Sequence, residues 1–140
     1  MVLRQASGTL TVGTSRPALH DISGEVADWL AGTGIGEGVL TLLCRHTSAS
    51  LLITENASPA VRRDMLRWFD RIAPRGFSYE HDAEGPDDMP AHLRSVLTCA
   101  HLSIPVADGR MRLGTWQGVF LAEHRDAPHR REVAVHVMGD

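Results

Sequence analysis

A tight turn joins two strand-like segments in residues 101–113, which read HLSIPVADGRMRL. Asp108-Gly109 is a strong signal for a two-residue hairpin turn, because such turns need backbone angles that these two residue types tolerate. Residues 101–106 and 110–113, on either side of it, have strand-like patterning. The segment therefore predicts a β-hairpin.

Strand patterns continue on both sides of this hairpin. Further strands are predicted at residues 8–14, 39–45, 51–54, 118–124 and 131–137. Helical patterns are interleaved with the early strands, whereas the last third of the chain is predicted to be all strand. This order predicts an α+β fold: a largely antiparallel β-sheet or sandwich with two to three helices packed against it. Residues 1–140 are expected to form a single domain.

Three helices are predicted from apolar side chains at helical spacing. Asp21 is expected to cap the first helix and Gly32 to end it. Ser58 is expected to cap the second, with proline at its first position, and Asp88 to cap the third. The apolar faces expected to be buried are Ile22, Val26, Trp29 and Leu30 in the first helix, Val61, Met65, Trp68, Phe69 and Ile72 in the second, and Leu93, Val96 and Leu97 in the third.

The composition argues against several classes of function. The net charge is only −3, without the basic face that marks a nucleic-acid-binding protein. All 14 basic residues are arginine, which excludes chemistry through a lysine Schiff base. Cys44 and Cys99 lie in apolar runs, form no CxxC pair and are expected to be small buried side chains. Since no signal peptide or membrane span is predicted, we expect a cytoplasmic protein.

Residues 79–92, which read YEHDAEGPDDMPAH, place two histidines and five acidic residues around a turn made by Gly85, Pro86 and Pro90. Imidazole and carboxylate groups bind metals and transfer protons near neutral pH. An acidic Gly/Pro segment is also common in plain surface loops, so both readings stay open.

A third histidine, His46, follows an apolar strand and precedes Thr47 and Ser48. His46, His81 and His92 are the candidate ligands of a three-histidine metal site with one open position. The hydroxyl groups of Thr47 and Ser48 are candidates for binding substrate phosphate, or else they form a turn.

Carboxylates and a tryptophan complete the set of candidate site residues. Glu55 and the pair Asp87-Asp88 are candidates for a general base, for magnesium ligands or for helix caps. Trp116 and Gln117 lie between two glycines, where they would stack on a flat heterocycle and contact its edge. The alternative for this segment is a bulge with a packed tryptophan.

Together these segments resemble one family. The strings HTSA (46–49), GPDDMPAH (85–92) and GTWQG (114–118), with Glu55-Asn56, Tyr79, His81 and Glu123, are similar to the YjbQ-like family, known as the secondary thiamine-phosphate synthase family. The resemblance implies a compact α+β fold, a homotrimer and metal binding through the motif histidines. One departure is Ser58, where an acidic residue is expected.

The resemblance also implies an activity: joining an aminopyrimidine methyl diphosphate to a thiazole phosphate, with release of pyrophosphate. A three-histidine site favours zinc as the metal, whereas departure of a diphosphate favours magnesium. The rival hypotheses are a metal-dependent hydrolase, in which Glu55 or Asp88 takes a proton from water, and a non-catalytic metal- or ligand-binding trimer. In each enzymatic reading the expected partner is a small molecule, and for the synthase it is phosphorylated.

Overall fold

The computed structural model describes residues 2–140, which form eight strands and three helices. The strands are β1 (Arg4–Thr14), β2 (Ala18–Asp21), β3 (Gly38–Cys44), β4 (Ala49–Glu55), β5 (His101–Ala107), β6 (Arg110–Met111), β7 (Gln117–Glu123) and β8 (His129–Gly139). The helices are α1 (Ser23–Thr33), α2 (Pro59–Ile72) and α3 (Asp88–Leu97). None of these helices is long and apolar enough to cross a membrane.

The strands form two antiparallel sheets. A five-stranded sheet has the order β1-β8-β3-β5-β6, and a three-stranded sheet has the order β2-β7-β4. The main core lies where their inner faces meet, since alternate residues of β3, β5 and β8 point inward and exclude water. The predicted α+β fold is confirmed. The short strand β2 was not predicted from the sequence.

The predicted hairpin is present between β5 and β6. Its turn residues, Asp108 and Gly109, have φ angles of 53° and 72°, the positive values that a two-residue hairpin turn needs. Gly38 has a different role, because it pairs directly with Gly139 of β8. A Cβ atom at Gly38 would overlap the carbonyl oxygen of Met138, so the close pairing excludes any larger residue there.

Helices α1 and α2 differ in detail from the prediction. Helix α1 continues past Gly32 and ends at Thr33. Its C-cap is Gly34, which has φ 72° and whose N–H donates to the carbonyl of Ala31. Helix α2 packs Phe69, with Met65 and Leu66, on the outer face of the three-stranded sheet. Trp68 and Ile72, which were predicted to be buried, are exposed.

The prediction for helix α3 was wrong about which face is buried. Val96 and Leu97 are 79% and 58% exposed. The buried residues are instead Asp88, Pro90, Ala91 and Arg94. Nor does Asp88 cap the helix, because the N-cap position is Asp87 and no side chain caps it. A helix that buries charged groups needs partners for them, and these partners define the candidate site.

Candidate functional site

Four side chains converge at the start of α3. His81, Glu84, Asp88 and His92 each offer one donor atom, and these four atoms all lie within 4.8 Å of one another. We call these four residues the donor cluster. Imidazole nitrogens and carboxylate oxygens at this spacing fit the requirements of a divalent metal site.

The backbone explains why these residues meet. Asp88 and His92 are four residues apart on α3 and therefore share one face of the helix, with His92 Nε2 3.1 Å from Asp88 Oδ2. His81 and Glu84 come from the segment that leads into the helix. His81 Nε2 lies 3.0 Å from Asp88 Oδ2 and 3.2 Å from Glu84 Oε2. These two hydrogen bonds, that to Asp88 first, raise the pKa of His81.

The orientation of His92 suits a metal ligand. Its Nδ1 lies 2.9 Å from the carbonyl oxygen of Thr47. A carbonyl oxygen only accepts hydrogen bonds, so Nδ1 carries the proton and donates it. In the neutral ring, the lone pair of Nε2 is then directed into the donor cluster. Metal-binding histidines are commonly oriented by a backbone carbonyl in this way.

Arg125 holds the carboxylates of this region in place. Its Nη1 donates to Asp88 Oδ1 (2.8 Å), its Nε to Asp87 Oδ2 (2.9 Å) and its Nη2 to the carbonyl of Glu84 (3.0 Å). Oδ2 of Asp88 is thereby left facing the two histidines. Burial by itself would raise the pKa of Asp88, but hydrogen bonds within the cluster and the charges of His92 and Arg125 outweigh it, so this pKa is lowered. Asp88 is therefore ionised near neutral pH.

Asp87 supports the cluster without belonging to it. Besides Arg125, its carboxylate accepts a hydrogen bond from the Asp126 N–H at 2.8 Å. Burial opposes ionisation of Asp87, yet these two hydrogen bonds lower its pKa below the ordinary value. These two bonds hold Asp87 against Arg125 and Asp126, and its predicted part in the chemistry stays a prediction.

His46 does not join the donor cluster. Its Nε2 accepts a hydrogen bond of 2.8 Å from the Glu132 N–H, which occupies that lone pair. Burial, followed by the charge of Arg131, lowers the pKa of His46 and keeps the ring neutral. In place of the predicted third imidazole, the cluster contains the carboxylates of Glu84 and Asp88. Ser48, one of the predicted phosphate ligands, accepts from Arg131 Nη2 through both its hydroxyl and its carbonyl oxygen.

The remaining predicted site residues, Glu55, Trp116 and Gln117, lie at the other end of the three-stranded sheet. Glu55 is paired with Gln117 across β4 and β7, whereas Ala49, at the opposite end of β4, is paired with Glu123. Six residues of extended strand separate these ends by about 20 Å. Glu55 accepts from the Ser58 N–H, and Trp116 is 64% exposed. Within one chain, the structure does not bring Glu55, Trp116 or Gln117 to the donor cluster, and their part in the chemistry stays a prediction.

Sequence reasoning missed a buried network beside the site. Glu123 accepts from Thr14 Oγ1 and from Arg131 Nε (2.8 Å), and these bonds outweigh the effect of burial and lower the pKa of Glu123. Ser50 Oγ lies 2.9 Å from His124 Nε2, and burial lowers the pKa of His124 to about 4. Only the flanking Glu123 and Arg125 marked His124 in the sequence. Glu84 lies in the segment 79–92 but was not singled out among its five acidic residues. The contact of Arg125 with Asp88 was not predicted, because the two residues are 37 positions apart and no spacing rule joins them.

Two open cavities flank the donor cluster. One, of about 740 Å³, includes His92 in its lining and extends past His46, Thr98 and Cys99. The other, of about 410 Å³, includes His81 and is bordered by Arg75, Phe77 and Tyr79. Cys99 is exposed, which corrects the prediction that it is buried, whereas Cys44 is buried as predicted. The cluster therefore has space for a ligand on two sides.

Several known proteins are similar to this chain in sequence. The sequence profile of the family described as UPF0047 protein YjbQ-like matches residues 8–140. The chain belongs to this family. A UPF0047 protein of Synechocystis is 47% identical over 138 residues, covering 98% of this chain and 94% of that protein. The UPF0047 protein YjbQ of Salmonella typhimurium is 43% identical over 133 residues, covering 94% and 96%.

Several solved structures share the fold of this chain. A conserved protein of the YjbQ/UPF0047 family from Clostridium acetobutylicum superposes with a TM-score of 0.85 at 32% identity, covering 92% of this chain and 98% of that one. A conserved hypothetical protein from Thermus thermophilus gives a TM-score of 0.81 at 38% identity, covering 91% and 97%. A YbjQ-like protein of unknown function from Sulfolobus solfataricus gives 0.92 at 24% identity, covering 99% and 100%, which shows the fold alone.

Proposed function

We propose that this protein is a divalent-metal-dependent enzyme that acts on a phosphorylated small molecule, with the metal held by the donor cluster. The convergence of four donor atoms within 4.8 Å, next to two open cavities, carries the proposal. A purely structural cluster would not need two cavities beside its ligands. The hydrogen bond from His92 to the Thr47 carbonyl turns the His92 Nε2 lone pair toward the cluster. This orientation is typical of a metal-binding histidine.

The donor set broadens the choice of metal. Two imidazoles and two carboxylates suit zinc, and they also suit magnesium or manganese better than three imidazoles would. A three-histidine site would favour zinc, whereas departure of a diphosphate favours magnesium. With two carboxylates among the ligands, the site can hold either ion. When bound, such an ion neutralises charge on phosphate oxygens. The four residues of the donor cluster would hold it, and Arg125 keeps Asp88 ionised, with Oδ2 facing the two histidines.

The reaction that we propose is the formation of thiamine phosphate from an aminopyrimidine methyl diphosphate and a thiazole phosphate. A carbon–nitrogen bond forms as pyrophosphate leaves, and the negative charge that leaves with pyrophosphate is the reason for a cation at the site. Arg75 also borders the cavity next to His81, but its guanidinium is already paired with the carboxylate of Asp126.

The first test is metal binding, measured by calorimetric titration of the metal-free protein with Zn²⁺, Mn²⁺ and Mg²⁺. We expect one ion per chain and a loss of at least tenfold in affinity for Asp88→Asn, since this removes a charged ligand. Glu80→Gln is the matched control, because Glu80 is exposed in the same segment and lies outside both the donor cluster and the two cavity linings. Equal affinities in wild type and Asp88→Asn would contradict the proposed site.

The second test is turnover, measured as thiamine phosphate and pyrophosphate released in equal amounts by the metal-loaded protein. Asp88→Asn should reduce this rate, and Glu80→Gln should not. Release of pyrophosphate with hydrolysed pyrimidine instead of product would identify a hydrolase. Metal binding without turnover of either kind would leave a metal-binding protein.

We further propose that the protein is a homotrimer that works in the cytoplasm. The outer face of the five-stranded sheet supports self-association, because Val39, Leu43 and Met138 are nearly half exposed there. Cys44 and Cys99 are both free thiols, as expected in a reducing compartment.

A further inference from the structure

The two cavities beside the donor cluster differ in chemical character. The larger one, next to His92, is lined by apolar atoms of Ala49, Val96 and Ala100 together with neutral hydrogen-bonding groups. No Asp, Glu or Arg side chain is among its lining residues in the described chain. The smaller one, next to His81, is bordered by Arg75 and Asp82, and Arg75 forms an ion pair with Asp126. An uncharged group in the smaller cavity would remove water from these charged side chains, which costs free energy. Such a group therefore binds more favourably in the larger cavity.

Building on the proposed function, we propose that the larger cavity binds an uncharged aromatic ring of the substrate while the phosphate of the same molecule is held at the donor cluster. The two sites are adjacent because His92 belongs to both: its Nε2 lies in the cluster and its ring lines the cavity. A volume of about 740 Å³ is ample for one ring and its substituents.

Polar groups in the cavity lining are available to the edge of such a ring. His46 uses Nε2 to accept from the Glu132 N–H, so its neutral ring carries a proton on Nδ1 as a donor. Thr98 is held by a hydrogen bond of 2.5 Å to Ser50 Oγ, and Ser50 in turn contacts the buried His124. A hydroxyl that is fixed from behind in this way is a rigid part of the cavity floor.

The experiment compares two probes, inorganic phosphate and phenyl phosphate, by calorimetric titration of the zinc-loaded protein. We expect phenyl phosphate to bind at least tenfold more tightly than inorganic phosphate, because only the ester places a ring in the cavity. Ala100→Trp should remove this preference by filling the cavity, without changing the affinity for zinc or for inorganic phosphate. Ala31→Trp, at an exposed alanine on α1, is the matched control and should keep the preference.

A second variant and a labelling measurement test the same cavity independently, in case Ala100→Trp does not fold. Val96→Asp alters a side chain that is 79% exposed, and its charge should weaken phenyl phosphate binding more than phosphate binding. Cys99 lines the cavity, whereas Cys44 is buried, so N-ethylmaleimide should label Cys99. Phenyl phosphate should slow this labelling at least threefold, and inorganic phosphate should not.

The outcomes separate the two proposals. Zinc binding with equal affinities for the two probes would overturn the ring site and leave the metal site intact. A tenfold preference that survives in both Ala100→Trp and Val96→Asp would also overturn it. Failure of the wild-type protein to bind any of Zn²⁺, Mn²⁺ and Mg²⁺ would contradict the proposed function itself, and the ring site with it.

Discussion

At the scale of single residues, Arg125 connects the helix that carries Asp88 to the end of β7. It is 21% exposed and binds two carboxylates that are 10% and 4% exposed, those of Asp87 and Asp88. Removing one partner from such a group leaves the other charges without compensation in a poorly hydrated place. Arg125 is therefore expected to matter for both the stability of the protein and the geometry of the metal site.

Replacing Arg125 by glutamine should lower the free energy of unfolding by about 2 kcal/mol. It should also weaken metal binding by about tenfold, because Asp88 is no longer directed at the cluster. Urea unfolding and calorimetric titration measure the two effects. Arg112→Gln, at an exposed arginine after β6, is the control and should change neither. Unchanged metal affinity in Arg125→Gln would show that Asp88 is oriented without it.

His124 makes stability depend on pH. Burial, with the charge of Arg94 acting in the same direction, lowers its pKa to about 4, compared with 6.5 for a free histidine. Between pH 6.5 and pH 4 the unfolded chain takes up a proton that the folded protein does not. The free energy of unfolding should therefore decrease as the pH falls through this range, by about 3 kcal/mol in total.

His124→Gln should remove this part of the pH dependence, since glutamine does not titrate. Urea unfolding at several pH values from 4 to 7 compares the variant with the wild type. His46, whose pKa is also lowered, is present in both proteins, so its contribution cancels in the difference. Parallel stability curves for the two proteins would contradict the assignment of this pH dependence to His124.

At the scale of elements, the close pairing of β3 with β8 depends on glycine. A Cβ atom at Gly38 would overlap the Met138 carbonyl oxygen and lie 2.9 Å from Gly139 Cα. Gly38→Ala should therefore reduce the free energy of unfolding by at least about 2 kcal/mol. Gly13→Ala is the control, because a Cβ atom at Gly13 in β1 has no heavy atom within 4 Å. Equal thermal stability of the two variants would contradict this close approach of the two strands.

At the scale of the whole molecule, one large surface is left without a covering element in residues 2–140. The outer face of the five-stranded sheet contains three rows of paired residues that include no Asp, Glu or Arg. These rows are Gln5, Met138, Val39 and Pro105; Ser7, His136, Thr41 and Ser103; and Thr9, Ala134, Leu43 and His101. Depletion of charged residues around exposed apolar side chains is typical of the centre of a protein interface.

Leu43→Glu should therefore dissociate the proposed trimer, because a charge at the centre of the face would be buried without a partner. Light scattering after size exclusion should give three times the 15.3 kDa mass of one chain for the wild type and one chain mass for the variant. Ile72→Glu, at an exposed residue of α2, is the control and should remain trimeric. A wild-type protein that is monomeric at micromolar concentration would contradict the proposal.

Local patterns in the sequence determined much of the fold. Strand-like patterns, either alternating or short apolar runs, predict seven of the strands, and the Asp108-Gly109 turn predicts the β5–β6 hairpin. These predictions succeed because side-chain periodicity and turn angles depend on residues that are close in the chain. The grouping of His81 with His92 was also visible, because both lie in one short segment rich in acidic residues.

Only the tertiary structure decided which side chains meet across the chain. It separated His46 from the donor cluster, because the backbone N–H of Glu132 occupies its Nε2, and it brought Arg125 to Asp87 and Asp88. It also turned Val96 and Leu97 of α3 outward, because the buried side of that helix is taken by Asp88 and Arg94 and their partners. Such long-range ion pairs depend on the folded geometry and leave no periodic signal in the sequence.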